Sequence, residues 1–147
     1  MNIYEANKVI SGNWGQVWLE GEFVREATGL KAEVQLDFTD VPMCGTLAKH
    51  QKGAGMTCTG SLTMNKINSR MAKLLSDKIK AGKTPVFTII SKLDDPDSDG
   101  AERVVLKGVK FSRLTLADWS ANNNGTITQE FTFTDWDFLD VIDDTEN

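Results

Sequence analysis

Four places in this 147-residue chain hold residue types that chemistry commonly uses. The run Asp95-Pro96-Asp97-Ser98-Asp99-Gly100 has the D-x-D-x-D-G opening of a calcium loop. Such a loop closes on a bidentate Glu at its twelfth position, and that position here is Leu106. Strand-like segments lie on both sides where a calcium loop has helices, and a solvated Pro/Asp/Ser/Gly turn accounts for the same residues. His50, the single histidine, would need a nucleophile and an orienting partner within reach to act as a general base. No G-x-S-x-G elbow or activated Cys–His signature accompanies it. Gly12-Asn13-Trp14-Gly15 is glycine-rich but lacks both the P-loop lysine and a helix start. Cys44 and Cys58 are neither closely spaced nor joined by a second pair; reduced thiols are expected, with Cys58 a small core residue. With one histidine they leave too few ligands for tetrahedral zinc. No catalytic, cofactor-binding or metal-binding residue is assigned, and the expectation is a protein that is not an enzyme and carries no cofactor.

The elements that hold these residues are read from periodicity. Leu30, Ala32, Val34, Leu36 and Phe38 alternate with Lys31, Glu33, Gln35, Asp37 and Thr39, the period-two pattern of a strand with one apolar face. The pattern returns in Met56, Cys58, Gly60, Leu62 and Met64 against Thr57, Thr59, Ser61, Thr63 and Asn65. It returns again in Ile127, Phe131 and Phe133 against Thr126, Thr128, Glu130, Thr132 and Thr134. Gln16–Leu19 and Glu22–Arg25 flank Glu20-Gly21, which predicts a tight hairpin. Val86–Leu93 and Arg103–Phe111 are apolar on both faces in part, as in strands covered on two sides. Leu114–Trp119 extends or follows the latter, and Asn122–Gly125 is a turn by composition.

One helix is predicted. Asn68 or Ser69 caps it, Met71, Leu74, Leu75 and Ile79 recur at three- and four-residue spacing, and Gly82 followed by Pro85 ends it. The stretch Val41–Gly55 fits neither period and holds Pro42, Gly45, Gly53 and Gly55. Loops this long inside a compact domain are usually functional or mobile. Two readings stay open there: a surface loop, or an arm that orders against a neighbouring copy.

Charge is unevenly spread about its net −5. After Gly125 there are seven acids and no Lys or Arg, whereas Lys66 to Lys83 holds six bases against Asp77. Either both are solvated faces, or the two patches meet across subunits, where complementary charge fixes register. An acidic domain lacks the basic footprint of sequence-specific nucleic-acid binding. The apolar runs are too short to span a bilayer. The residues after Met1 show no charged stretch leading into an apolar one, so no signal peptide is expected. The threonine faces are polar yet nearly uncharged, which suits packing beside other subunits or lining a passage. Threonine is also simply a good strand residue.

Several segments together carry a family resemblance. They are Val9-Ile10-Ser11-Gly12-Asn13-Trp14-Gly15-Gln16-Val17-Trp18-Leu19-Glu20-Gly21, then Gly55-Met56-Thr57-Cys58-Thr59-Gly60-Ser61-Leu62-Thr63-Met64 running into Ser69-Arg70-Met71. Ile90-Ser91-Lys92-Leu93-Asp94-Asp95-Pro96-Asp97-Ser98 with Gly100-Ala101-Glu102-Arg103, and Phe131-Thr132-Phe133-Thr134-Asp135 with Asp137-Phe138, follow in order. In these the chain resembles tail tube (core) proteins of contractile-tailed (myovirus-type) phages, defective prophages and diffocin-type phage-tail-like bacteriocins. Val41–Gly53 departs from that pattern.

The resemblance implies a mainly β fold: an antiparallel β-sandwich or partly closed β-barrel with one packed α-helix. With it goes the expectation, from chain length and residue pattern, of one domain over 1–147, with a flexible N-terminal arm at about 1–13, a long loop at about 41–55 and an acidic C-terminal tail at about 140–147. It further implies hexameric rings stacked into the inner tube of a contractile tail. The partners would be the chain itself, the sheath, the baseplate and the tail terminator, with DNA able to pass through the lumen unread and no membrane. Synthesis in the bacterial cytoplasm and residence in the virion tail or tail-like particle follow. The alternatives are a terminator- or initiator-type ring protein and a small calcium- or ligand-binding β domain.

Overall fold

The computed structural model describes residues 6–65, 70–97 and 99–142. Two short 3-10 turns, Ala6–Lys8 and Gly12–Trp14, lead into strand β1 (Gly15–Leu19). Strand β2 (Glu22–Phe23) returns along β1 through Glu20 and Gly21, both left-handed at φ 52 and 81. Two successive positive φ values match the twist of the flanking strands, which is why glycine serves there. Glu20 is held in that conformation by Thr88: its N–H donates to the Thr88 carbonyl (3.0 Å) and its carboxylate accepts the Thr88 N–H (2.6 Å).

The alternating segments form the longest strands, β3 (Ala27–Val41) and β4 (His50–Asn65), paired antiparallel from end to end. The long loop expected over about 41–55 is therefore shorter than that, and about half of the stretch is strand: β3 runs through Val41, β4 starts at His50, and 42–49 connects them. A register irregularity explains why the sequence hid this. Asp37 faces Gly55 but Phe38 faces Gly53, so Ala54 is extra and the parity of apolar positions flips beyond it.

Helix α1 (Arg70–Lys80) follows; its expected caps, Asn68 and Ser69, lie outside the described residues. It ends as predicted on Gly82 (φ 74), whose N–H donates to the Ile79 carbonyl while Lys83 N–H reaches back to Lys78. Among the described apolar side chains expected on its inner face, Leu75 is buried, whereas Leu74 and Ile79 are exposed. Lys78 places its ammonium 4.6 Å from the Phe87 ring centroid, capping that edge of the core.

Strands β5 (Phe87–Leu93), β6 (Glu102–Phe111), β7 (Thr126–Thr132) and β8 (Asp135–Asp140) complete the fold, in the order β2-β1-β5-β6-β7-β4-β3 with β8 also on β6. The stretch 112–125, which contains the expected strand continuation Leu114–Trp119, is irregular. β5 lies along one flank of β6, and along the other β8 pairs residues 103–107 while β7 pairs only Lys110 and Phe111. The ribbon β7–β8 thus crosses from one layer to the other at a corner marked by Gly108 (φ 67) and Thr134. The result is an antiparallel sheet folded over its own apolar face, open rather than closed into a barrel.

Between the layers sit Leu62, Ile89, Val109, Phe87, Phe131 and Leu75, all essentially inaccessible to water. Phe87, Phe111, Phe131, Phe133 and Trp136 follow one another with ring centroids 5.4 to 6.3 Å apart, a chain of tilted and edge-on contacts that spans both layers. Gly60 is fixed by this packing, because a Cβ there would collide with the Lys31 carbonyl oxygen and the Phe131 ring.

Candidate assembly surface

The residues first singled out for chemistry are scattered. His50 opens β4 in an exposed setting beside Lys49 and Lys52. Cys44 is exposed at the hairpin tip, Cys58 is buried in the core, and both are free thiols. Asp95 is used internally: its carboxylate accepts the Ser11 N–H at 2.8 Å and the Asp97 N–H at 2.9 Å. Those two bonds, Ser11's first, hold its pKa below the ordinary carboxylate value. With the Lys8–Asp99 ion pair (3.1 Å) they lay residues 8–11 against the β5–β6 turn.

Three of the acids after Gly125 also have partners within the chain. Asp140 pairs with Arg103 at 3.1 Å, Asp137 with Lys107 at 2.6 Å, and Glu130 with Arg113. The hydrogen bond from Lys107 to Asp137, and the charge of that carboxylate, raise the lysine pKa. These three acids are therefore committed in cis. The basic side chains described on α1, by contrast, make no ion pair among the described residues.

What the fold leaves unsatisfied is an apolar surface. The face that alternation assigned to Leu30, Val34, Leu36, Phe38, Met56 and Cys58 is continuous, but only its lower part is covered. Leu30 and Val34 pack on the core and Cys58 is buried, whereas Leu36, Phe38 and Met56 keep 57%, 54% and 52% of their surface in water. Leu36 lies directly opposite Met56 across the ladder, so these side chains form one stripe. Beyond them Val41, Met43 and Leu47 are exposed at the tip. The inward role expected of Leu36, Phe38 and Met56 is thus corrected: β3 and β4 outrun their own core. Their length was the available signal, because strands in globular domains commonly run five or six residues.

Two further features surround this stripe. Along the far side of β3 no other strand pairs among the described residues, leaving a long edge able to template another strand. At the base of the arm the two layers part between β3 and β8, opening a groove of about 360 Å³ lined by Leu30, Val34, Val104, Trp136 and Phe138 among others. The opposite face of β3, β4 and β7 is polar, with cross-strand rows Glu33–Thr59–Thr132–Lys110 and Lys31–Ser61–Glu130. Its charges alternate in sign, and Lys31 sits 3.5 Å from Glu33.

A free strand edge, a projecting apolar arm and an apolar groove define a building block whose surface is made to meet other protein. Residues 2–140 match the family model described as phage tail tube protein, and the chain belongs to that family. The family is a structural one, not an enzyme family, and its members form part of the tails of phage-like particles. The chain is 32% identical to phage-like element PBSX protein XkdM of Bacillus subtilis (strain 168) over 96% of its own length and 97% of that relative's. Among solved structures, a chain of the anti-feeding prophage tube-terminating cap superposes with TM-score 0.72 at 12% identity, covering 96% of this chain and 95% of that one. A chain of the sheath–tube complex of an extracellular contractile injection system superposes with TM-score 0.69 at 11% identity, covering 90% and 92%. At those identities the two structures show a shared fold.

Proposed function

We propose that the chain assembles into six-membered rings, and that these rings stack into the hollow inner tube of a contractile tail or tail-like particle. The uncovered apolar arm carries this reading. An arm whose apolar stripe has no cover in its own subunit gains when another surface buries it, by up to about 1.5–3 kcal/mol per large side chain. The groove and the arm are different surfaces of one chain, so contact between them is heterologous. Such contacts close into rings or run on as filaments.

Within a ring the free edge of β3 is satisfied by a neighbour, which removes the aggregation hazard of an open edge. Sheath, baseplate and terminator are the proposed further partners, by kinship with the tube, baseplate and terminator assemblies whose chains share this fold. The polar face of β3, β4 and β7, with hydroxyls and sign-balanced charges, lines the passage in this reading, and cargo passes without being read.

Purified protein examined by negative-stain electron microscopy is expected to show six-fold rings at low concentration and long hollow tubes at high concentration. Single rings that never elongate would favour a terminator. A stable monomer at every concentration and salt would refute both.

A further inference from the structure

We propose that Asn124 is a covalent modification site: it deamidates spontaneously, through a cyclic imide formed with Gly125, to aspartate and isoaspartate. This chemistry belongs to the single subunit and does not rest on the tube reading. Asn124 is the one asparagine of the chain that glycine follows; the others precede larger residues or end the sequence. It lies exposed in the irregular stretch 112–125, with Gly125 exposed beside it, and β7 begins one residue later, where Thr126 pairs with Asn65. Outside the strand ladders, neither Asn124 nor Gly125 makes a hydrogen bond among the described residues.

The neighbouring candidates are held back. The Asn123 N–H donates to the Ser120 carbonyl (3.4 Å) and its side-chain amide donates to the Ser120 hydroxyl (2.7 Å), and a second asparagine follows it. Asp99 also precedes glycine, but its carboxylate is paired with Lys8 at 3.1 Å, and a carboxylate anion is a poor electrophile. At Asn124 the electrophile is a neutral amide, and glycine puts no side chain in the way of ring closure. A base removes the Gly125 amide proton, the nitrogen bonds to the Asn124 Cγ, the Cγ–Nδ2 bond breaks, and the nitrogen takes a proton from water and leaves as ammonia. Water then opens the five-membered imide at either carbonyl. Both products add a negative charge beside a segment that already holds seven acids. Isoaspartate also adds one main-chain carbon directly before the Thr126–Asn65 rung.

Purified full-length protein, incubated in mildly acidic and mildly alkaline buffer, is followed by peptide mass spectrometry, with isoaspartate read by isoaspartyl methyltransferase labelling. Conversion at position 124 is expected to outrun that at every other asparagine by at least an order of magnitude, to be faster in alkali, and to give both products. Gly125→Ala should slow it by a similar factor, and the parent measurement decides alone if that variant folds poorly. Intact Asn124 after the alkaline incubation, or an undiminished rate in folded Gly125→Ala, would overturn the proposal. Aspartate without isoaspartate would mean direct hydrolysis and would overturn it too.

Discussion

The base and the arm of the β3–β4 hairpin obey the same alternation, pair in the same ladder and meet opposite fates. At the base, Leu62 and Met64 are sealed beneath β7 and the aromatic chain. In the arm, Leu36 and Met56 face each other just as regularly and remain wet. Period two specifies that a strand has an apolar face; it does not specify which chain will cover it. Half of this hairpin is a folding element and half, in the proposed tube, an association element, and the boundary falls where the facing layer ends.

The largest separation between the two is expected from side-chain deletion. Phe131→Ala, in the sealed region, should cost about 3–5 kcal/mol of subunit stability, measured by denaturant unfolding. Gly60→Ala should follow at about 1–3 kcal/mol, because the added methyl forces the Lys31 backbone or the Phe131 ring to shift. Leu36→Ser in the arm should leave the subunit within about 0.5 kcal/mol of the parent while tubes disappear from micrographs. Equal destabilisation by Leu36→Ser and Phe131→Ala would erase the distinction between base and arm.

A smaller effect is expected at Asp95, remote from both. Its folded pKa is lowered by the Ser11 and Asp97 amides. Its contribution is therefore present above the unfolded carboxylate pKa of about 4 and lost as pH falls through the folded value. Asp95→Asn should flatten the acid side of a plot of thermal midpoint against pH, with hydrogen exchange at the Ser11 amide quickening. Lys107→Met should have the least effect, a shift in midpoint that shrinks as salt is added, since the Lys107–Asp137 pair is exposed on both sides.

Much of the fold was legible because its signals are local. The Glu20-Gly21 turn, the glycine end of α1 and the three alternating strands all stand where pattern and turn chemistry put them. Gln129 was passed over on β7, yet it is buried between Ile127 and Phe131 on the inward face, the position that parity demands. The arm was illegible for a different reason: the extra residue at Ala54 breaks parity just where Gly53 and Gly55 weaken the strand signal. Acid run and basic helix suggested partners for each other, but pairing of Glu130, Asp137 and Asp140 with bases distant in sequence depends on tertiary neighbours. Composition reports how much charge there is, not what stands opposite it.

The corner at Gly108 and Thr134 has a mechanical consequence. Because the β7–β8 ribbon enters both layers along the flank of β6, neither layer peels away without breaking the rungs of that strand. A pull along the arm loads the rungs of β3 on β4 in shear, so many must fail together, and passes through β7 to the corner. A subunit wired this way transmits tension from its tip to its far layer as a single stiff body.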